Sequence, residues 1–124
     1  LKMEQLGKLV GSQYPDVRIF AGQSLITADQ EAFDQFGFDL LIDEDTVVRS
    51  TTLRAMGQRR VAGWVRIMSR SLLDDDYVIQ RAAMDALLTD RQEGVKVLSE
   101  YVAKNPQARI SALARVELER LGVR

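Results

Sequence analysis

The chain has 124 residues, a formal net charge of −1 and 46% hydrophobic residues, which is enough for one domain, residues 1–124, with a core of its own. It has no cysteine and no histidine, which excludes disulfides, thiolate metal ligands, a cysteine nucleophile and the commonest general base. No run approaches the ~20 apolar residues of a membrane span, so no membrane insertion is expected, and the compartment stays open.

Apolar residues recur at helical spacing from the first residues onward. Leu6, Leu9 and Val10 share one face, and Leu1 to Gly11 reads as an amphipathic helix, not a signal peptide. A second helix follows the Gly11–Pro15 break and carries Val17, Ala21 and Leu25. Phe33, Phe36, Leu40 and Leu41 mark the third, between breaks at Thr27–Asp29 and Ile42–Asp45. The fourth runs from Asp45, an N-cap candidate, to a break expected at Gly57–Arg59. Val61, Trp64, Val65, Met68 and Leu72 define the fifth. Asp74–Asp76, with Asp76 as cap, opens the sixth, and Thr89–Arg91 separates it from the seventh. Lys104–Pro106 precedes the eighth, with Asn105 as expected cap, Pro106 as first helical residue and Gly122 as stop. Connections this short make successive helices antiparallel neighbours.

The chain also repeats itself. Pro15-Asp16-Val17-Arg18 recurs as Thr46-Val47-Val48-Arg49, then as Tyr77-Val78-Ile79-Gln80, and a fourth copy reads Pro106-Gln107-Ala108-Arg109. The steps from Val17 to Val48 and to Ile79 are 31 residues each, and the step to Ala108 is 29. Ala21, Thr52, Ala83 and Ala112 align as small residues, and Leu25, Met56, Leu87 and Val116 as large ones. In the intervening helices Ala32, Gly63 and Gly94 match, as do Phe33, Trp64 and Val95. A fixed period with two helices per period implies stacked helical hairpins, none of which can bury its apolar face alone.

These strings resemble the first helix of HEAT repeats, and the short period is similar to the HEAT-like repeats of phycobilin lyases. The resemblance covers essentially the whole chain. It implies an all-α, right-handed α-solenoid of four antiparallel hairpins, about 1–27, 28–57, 58–88 and 89–121. Tetratricopeptide repeats have a period of about 34 and a Trp–Leu–Gly–Tyr spacing that does not occur here. The first hairpin lacks a polar capping helix. Leu1, Leu6, Leu9 and Val10 are expected to continue onto another layer of a longer parent protein, or onto a second copy in end-to-end self-association.

Charge is segregated along the chain. From Asp16 to Asp45 there are eight acids and one base, Arg18; from Thr46 to Leu73 there are six arginines and no acid. Arg59, Arg66 and Arg70 are expected along one side of the fifth helix, opposite its apolar face, with Arg60 beside them. The repeat can also be framed with the Pro15-type helix first, so that the fourth and fifth helices form a pair and the chain begins and ends with half repeats. In HEAT-like stacks the second helix of such a pair lines the concave face, and these arginines would then form a stripe suited to a phosphate, a carboxylate or an acidic partner helix. The competing reading pairs Arg66 and Arg70 with Asp34 and Asp39, which would contribute little stability.

Asp43-Glu44-Asp45 and Asp74-Asp75-Asp76 lie one repeat apart. Neither has the spaced ligands and turn glycine of a calcium loop, so helix capping is expected in place of metal binding. Trp64 and Tyr101 are candidate stacking platforms, but Trp64 shares its repeat position with Phe33 and Val95 and so reads as core; Tyr77 and Phe38 are modest interface candidates. Without histidine the iron site of HEAT-like deoxyhypusine hydroxylases cannot form. No bilin pocket is marked, and a sequence pI near 5.5 is unlike the basic face of HEAT-like DNA glycosylases. No phosphate loop, serine elbow or paired catalytic carboxylate motif occurs, and no cofactor is implied. The expectation is a non-catalytic scaffold that binds a protein partner, with nucleic acid or a phosphate ligand as the alternative.

Overall fold

The computed structural model describes residues 2–123; Leu1, expected on the outer apolar face, lies outside the described residues. Among these residues there are eight α-helices and no strand: α1 (Met3–Val10), α2 (Pro15–Ser24), α3 (Gln30–Leu41), α4 (Thr46–Arg59), α5 (Trp64–Ser71), α6 (Tyr77–Leu88), α7 (Glu93–Lys104) and α8 (Arg109–Arg120). No described helix is long and apolar enough to cross a membrane.

The chain divides into two compact units between Val61 and Ala62. In the first, α1 packs on α2, α3 on α4, α1 on α3 and α2 on α4. In the second, α5 packs on α6, α7 on α8, α5 on α7 and α6 on α8. Each unit is therefore two hairpins side by side, odd helix against odd and even against even.

Small residues set the closest approaches. A Cβ added to Gly22 of α2 would lie 2.9 Å from Thr52 Oγ1 of α4, and one on Gly7 of α1 would lie 3.1 Å from the Phe36 ring of α3. At Gly94 a Cβ would collide with the Leu87 carbonyl, so only glycine lets α7 start this close to the end of α6. Large residues fill the layers. Leu25, Met56 and Leu87 are 0% exposed, as their matched positions predict.

The fourth copy follows a different register from the one expected. Ile110 and Ala114 are 0% exposed and Leu118 6%, whereas Ala112 is exposed and Val116 is 47% exposed. The buried set lies 31 residues after Ile79, Ala83 and Leu87, so the period is 31 throughout and the fourth copy is not shortened. The cause is local. Residues 105–108 form a turn closed by the Ala108 N–H on the Asn105 carbonyl (3.1 Å), and α8 begins at Arg109 with Ala108 as N-cap, not at Pro106 with Asn105 as cap.

The break after α4 also falls later than expected. α4 runs through the buried Gly57 to Arg59, and Arg60 (φ 57°) and Gly63 (φ 75°), which follow it, both take left-handed backbone. Val61 is therefore outside α5. The expected caps hold at Asp45, which accepts from the N–H groups of Val47 and Val48, and at Asp76, which accepts from that of Val78. Gly122 (φ 78°) follows the end of α8, as its position suggests.

Candidate binding surface

One hydrogen bond recurs in all four copies. In the first turn of each even helix one side chain donates to the carbonyl six residues earlier. Arg18 Nη1 donates to Ser12 O (3.0 Å), Arg49 Nη1 to Asp43 O (2.9 Å), Gln80 Nε2 to Asp74 O (2.6 Å) and Ser111 Oγ to Asn105 O (2.7 Å). These four donors are spaced by 31 residues. Each latch ties the loop that leads into its helix to the first turn of that helix. Gln80 thus does the work of Arg49, although it lacks the charge.

Arg18 does more than its counterparts. Its guanidinium grips both oxygens of Asp43, with Nε 2.8 Å and Nη2 3.2 Å away, so it joins the α1–α2 loop to the α3–α4 loop. Both side chains are only 11% exposed. Burial pushes the Asp43 carboxyl up. The hydrogen bonds from Arg18 and from the Asp45 N–H, with the charges of Arg18 and Arg49, outweigh this and hold it below its ordinary value. Its partner is shifted the other way: the hydrogen bond to Asp43 raises the Arg18 pKa against the opposing effect of burial. The sequence reading missed this pair. Arg18, the lone base in a run of eight acids, was the signal available.

The acidic triplets are thereby accounted for in structural terms. Asp43 and Asp74 accept from the N–H groups of Asp45 (2.9 Å) and Asp76 (2.7 Å), while Asp45 and Asp76 cap their helices. Among the described residues no three ligating side chains are grouped to hold a metal ion.

The four arginines nominated from the sequence have different surroundings. Arg59 ends α4, in the first unit. Its Nη1 donates to the carbonyls of Leu25 and Ala28, both at 2.7 Å, its Nη2 to Gln30 Oε1 (3.2 Å), and its guanidinium lies 4.6 Å from the Phe33 ring centroid. It closes the turn between α2 and α3. Arg60, in the left-handed position, donates to Gly57 O (3.2 Å). Arg66 and Arg70 are exposed on α5, one helical turn apart, on the side away from the buried Met68 and Leu72. Neither has an ion-pair or side-chain hydrogen-bond partner among the described residues of its own unit. Of the acids expected to answer them, Asp34 accepts from Gln30 (2.7 Å).

The aromatic candidates also separate. Phe33 and Val95 are buried, but Trp64, at the same repeat position, is only half-buried. Tyr101 is half-buried too. Tyr77 lies under the Arg109 guanidinium, 3.8 Å from its ring centroid, and Phe38 is 57% exposed. A cavity of about 330 Å³ opens between α7 and α8, lined largely by apolar atoms.

These features define an all-helical protein whose helices pack mainly on their chain neighbours. No protein-family model, curated protein or solved structure matches the chain.

Proposed function

We propose that this chain is a HEAT-like, right-handed α-solenoid segment that acts as a non-catalytic scaffold, holding a protein partner through α5. The observation that carries the reading is the contrast among the arginines. Arg18, Arg49 and Arg59 spend their donors on carbonyls and carboxylates of the chain itself. Arg66 and Arg70 stand one turn apart, exposed and unengaged within their unit. Two adjacent guanidinium forks suit the carboxylates of an acidic partner helix. The HEAT-like assignment draws its support from the 31-residue period and from the latch present in each copy.

Partner capture from a lysate by the purified chain, treated with nuclease, tests this reading. The Arg66→Glu/Arg70→Glu double variant should lose the captured protein while its far-UV circular dichroism and melting temperature stay unchanged, because neither side chain has a structural partner in its unit. Undiminished capture by the variant would remove the arginines from the role.

A second reading, binding of nucleic acid or a phosphate ligand at the same arginines, draws on the absence of any acid from Thr46 to Leu73. Capture of material that nuclease abolishes would favour it. The near-neutral net charge and the poor aromatic interleaving, Trp64 alone among the six arginines, favour the protein partner.

A further inference from the structure

The 31-residue register identifies two faces that their own units leave uncovered. Thr51 of α4 points back at α2, its Cγ2 3.5 Å from where a Gly22 Cβ would sit. One repeat earlier, the residue at the Thr51 position is Phe20, so Phe20 projects from α2 on the side turned away from α4. This position is half-buried at Thr51 and Leu113 and 0% exposed at Ala82, yet Phe20 is 54% exposed. The receiving position, Gly22 in α2, becomes Arg115 in α8, three repeats on. Arg115 therefore lies on the side of α8 turned away from α6.

Arg115 lines the α7–α8 cavity together with Ser99, Val102, Ala103 and Leu118. Its guanidinium is held on the Pro106 carbonyl (2.6 Å), and Ser99 Oγ is buried there without a hydrogen-bond partner. An apolar cavity of roughly 150 Å³ admits a benzene ring, so the 330 Å³ here has room for a phenylalanine.

We propose that copies of this chain stack head to tail, Phe20 of one copy entering the α7–α8 groove of the next. The contact would continue, between molecules, the interface that α2 and α4 already make within the first unit. The same register supplies a polar match. Phe36 of α3 meets Gly7 of α1; their equivalents at the two open faces are Gln5 of α1 and Glu100 of α7, both exposed. Gln5 accepts from the Lys2 N–H through Oε1 (3.1 Å), which leaves its amide N–H groups to donate to the Glu100 carboxylate. The contact is heterologous, so each added copy presents a fresh face and assembly proceeds beyond a dimer. The inference rests on the repeat register and not on Arg66 or Arg70.

Sedimentation equilibrium over a wide concentration range tests it on the wild-type chain, Phe20→Ser, Ala103→Arg and an equimolar mixture of the two variants. Phe20 and Ala103 are both exposed, so both variants should fold. The wild type should gain mass with concentration beyond a dimer, and each variant alone should stay monomeric. The mixture should stop at a dimer, because the Ala103→Arg copy keeps the aromatic ring and the Phe20→Ser copy keeps the groove. A wild type that remains monomeric throughout, a Phe20→Ser variant that still polymerises, or a mixture that fails to pair overturns the proposal and leaves both faces to other occupants.

Discussion

Asp43 couples the ionisation of one carboxyl to the packing of the first unit. Its carboxylate receives Arg18 on both oxygens and the Asp45 N–H as well. Because its pKa is below the ordinary 3.8, it contributes stability that is fully present above that value. The contribution declines as pH falls below 3.8 and is lost once the folded pKa is passed. Melting temperatures measured from neutral pH into acid should therefore drop for the wild type. Asp43→Asn should start lower at neutral pH, since it leaves a nearly buried guanidinium without its counter-charge, and should lose less on acidification. Equal acid sensitivity in both proteins would show that other carboxylates dominate. This pair was poorly legible in the sequence. Arg18 and Asp43 are 25 residues apart and become neighbours only when the two loops of the first unit come together.

The helices and their period were legible, because apolar spacing reports directly on which face is buried. Their ends were less so. Arg60 takes a left-handed backbone that nothing in its side chain announces, and α4 passes through Gly57, a residue that ordinarily suggests a stop. Pro106 resembled Pro15 at the first helical position, but a turn intervenes before α8. The mismatch displaced the fourth copy by two residues, and only the burial of Ile110, Ala114 and Leu118 restores the period. Glycine function likewise depends on contacts that the sequence does not display. Gly94→Ala must push a methyl into the Leu87 carbonyl at the α6–α7 turn and should cost about 1–3 kcal/mol in urea unfolding. At Gly11, with φ −79° and only an ordinary contact at 3.5 Å, the same change should be neutral or stabilise by about 0.4–1 kcal/mol. Equal costs at the two positions would contradict the packing described for the α6–α7 turn.

The molecule as a whole is close to electroneutral, so any electrostatic capture must come from where the charges stand and not from their sum. If Arg66 and Arg70 were the only cations displacing counter-ions from duplex nucleic acid, the slope of log affinity against log salt could not be steeper than about −1.8, at roughly −0.9 per phosphate. A steeper slope would demand more basic residues than α5 exposes and would redirect the search to other surfaces. A shallow dependence with a nuclease-resistant protein fits the scaffold reading. Of this candidate surface the sequence disclosed the arginine-rich segment, but not the division of labour within it. That Arg59 is consumed by carbonyls of the α2–α3 turn follows from a backbone path that only the fold supplies.

The recurring latch has a bearing on heredity as well as on architecture. Donor and acceptor are always six residues apart, so every copy carries its own fastening. The acceptor is main chain, so no particular partner side chain is required, and the short serine serves where a turn at residues 105–108 replaces the acidic cap of the other loops. A segment built this way can drift in spelling while its grammar persists, and whole units can be duplicated or lost provided the count stays a multiple of 31.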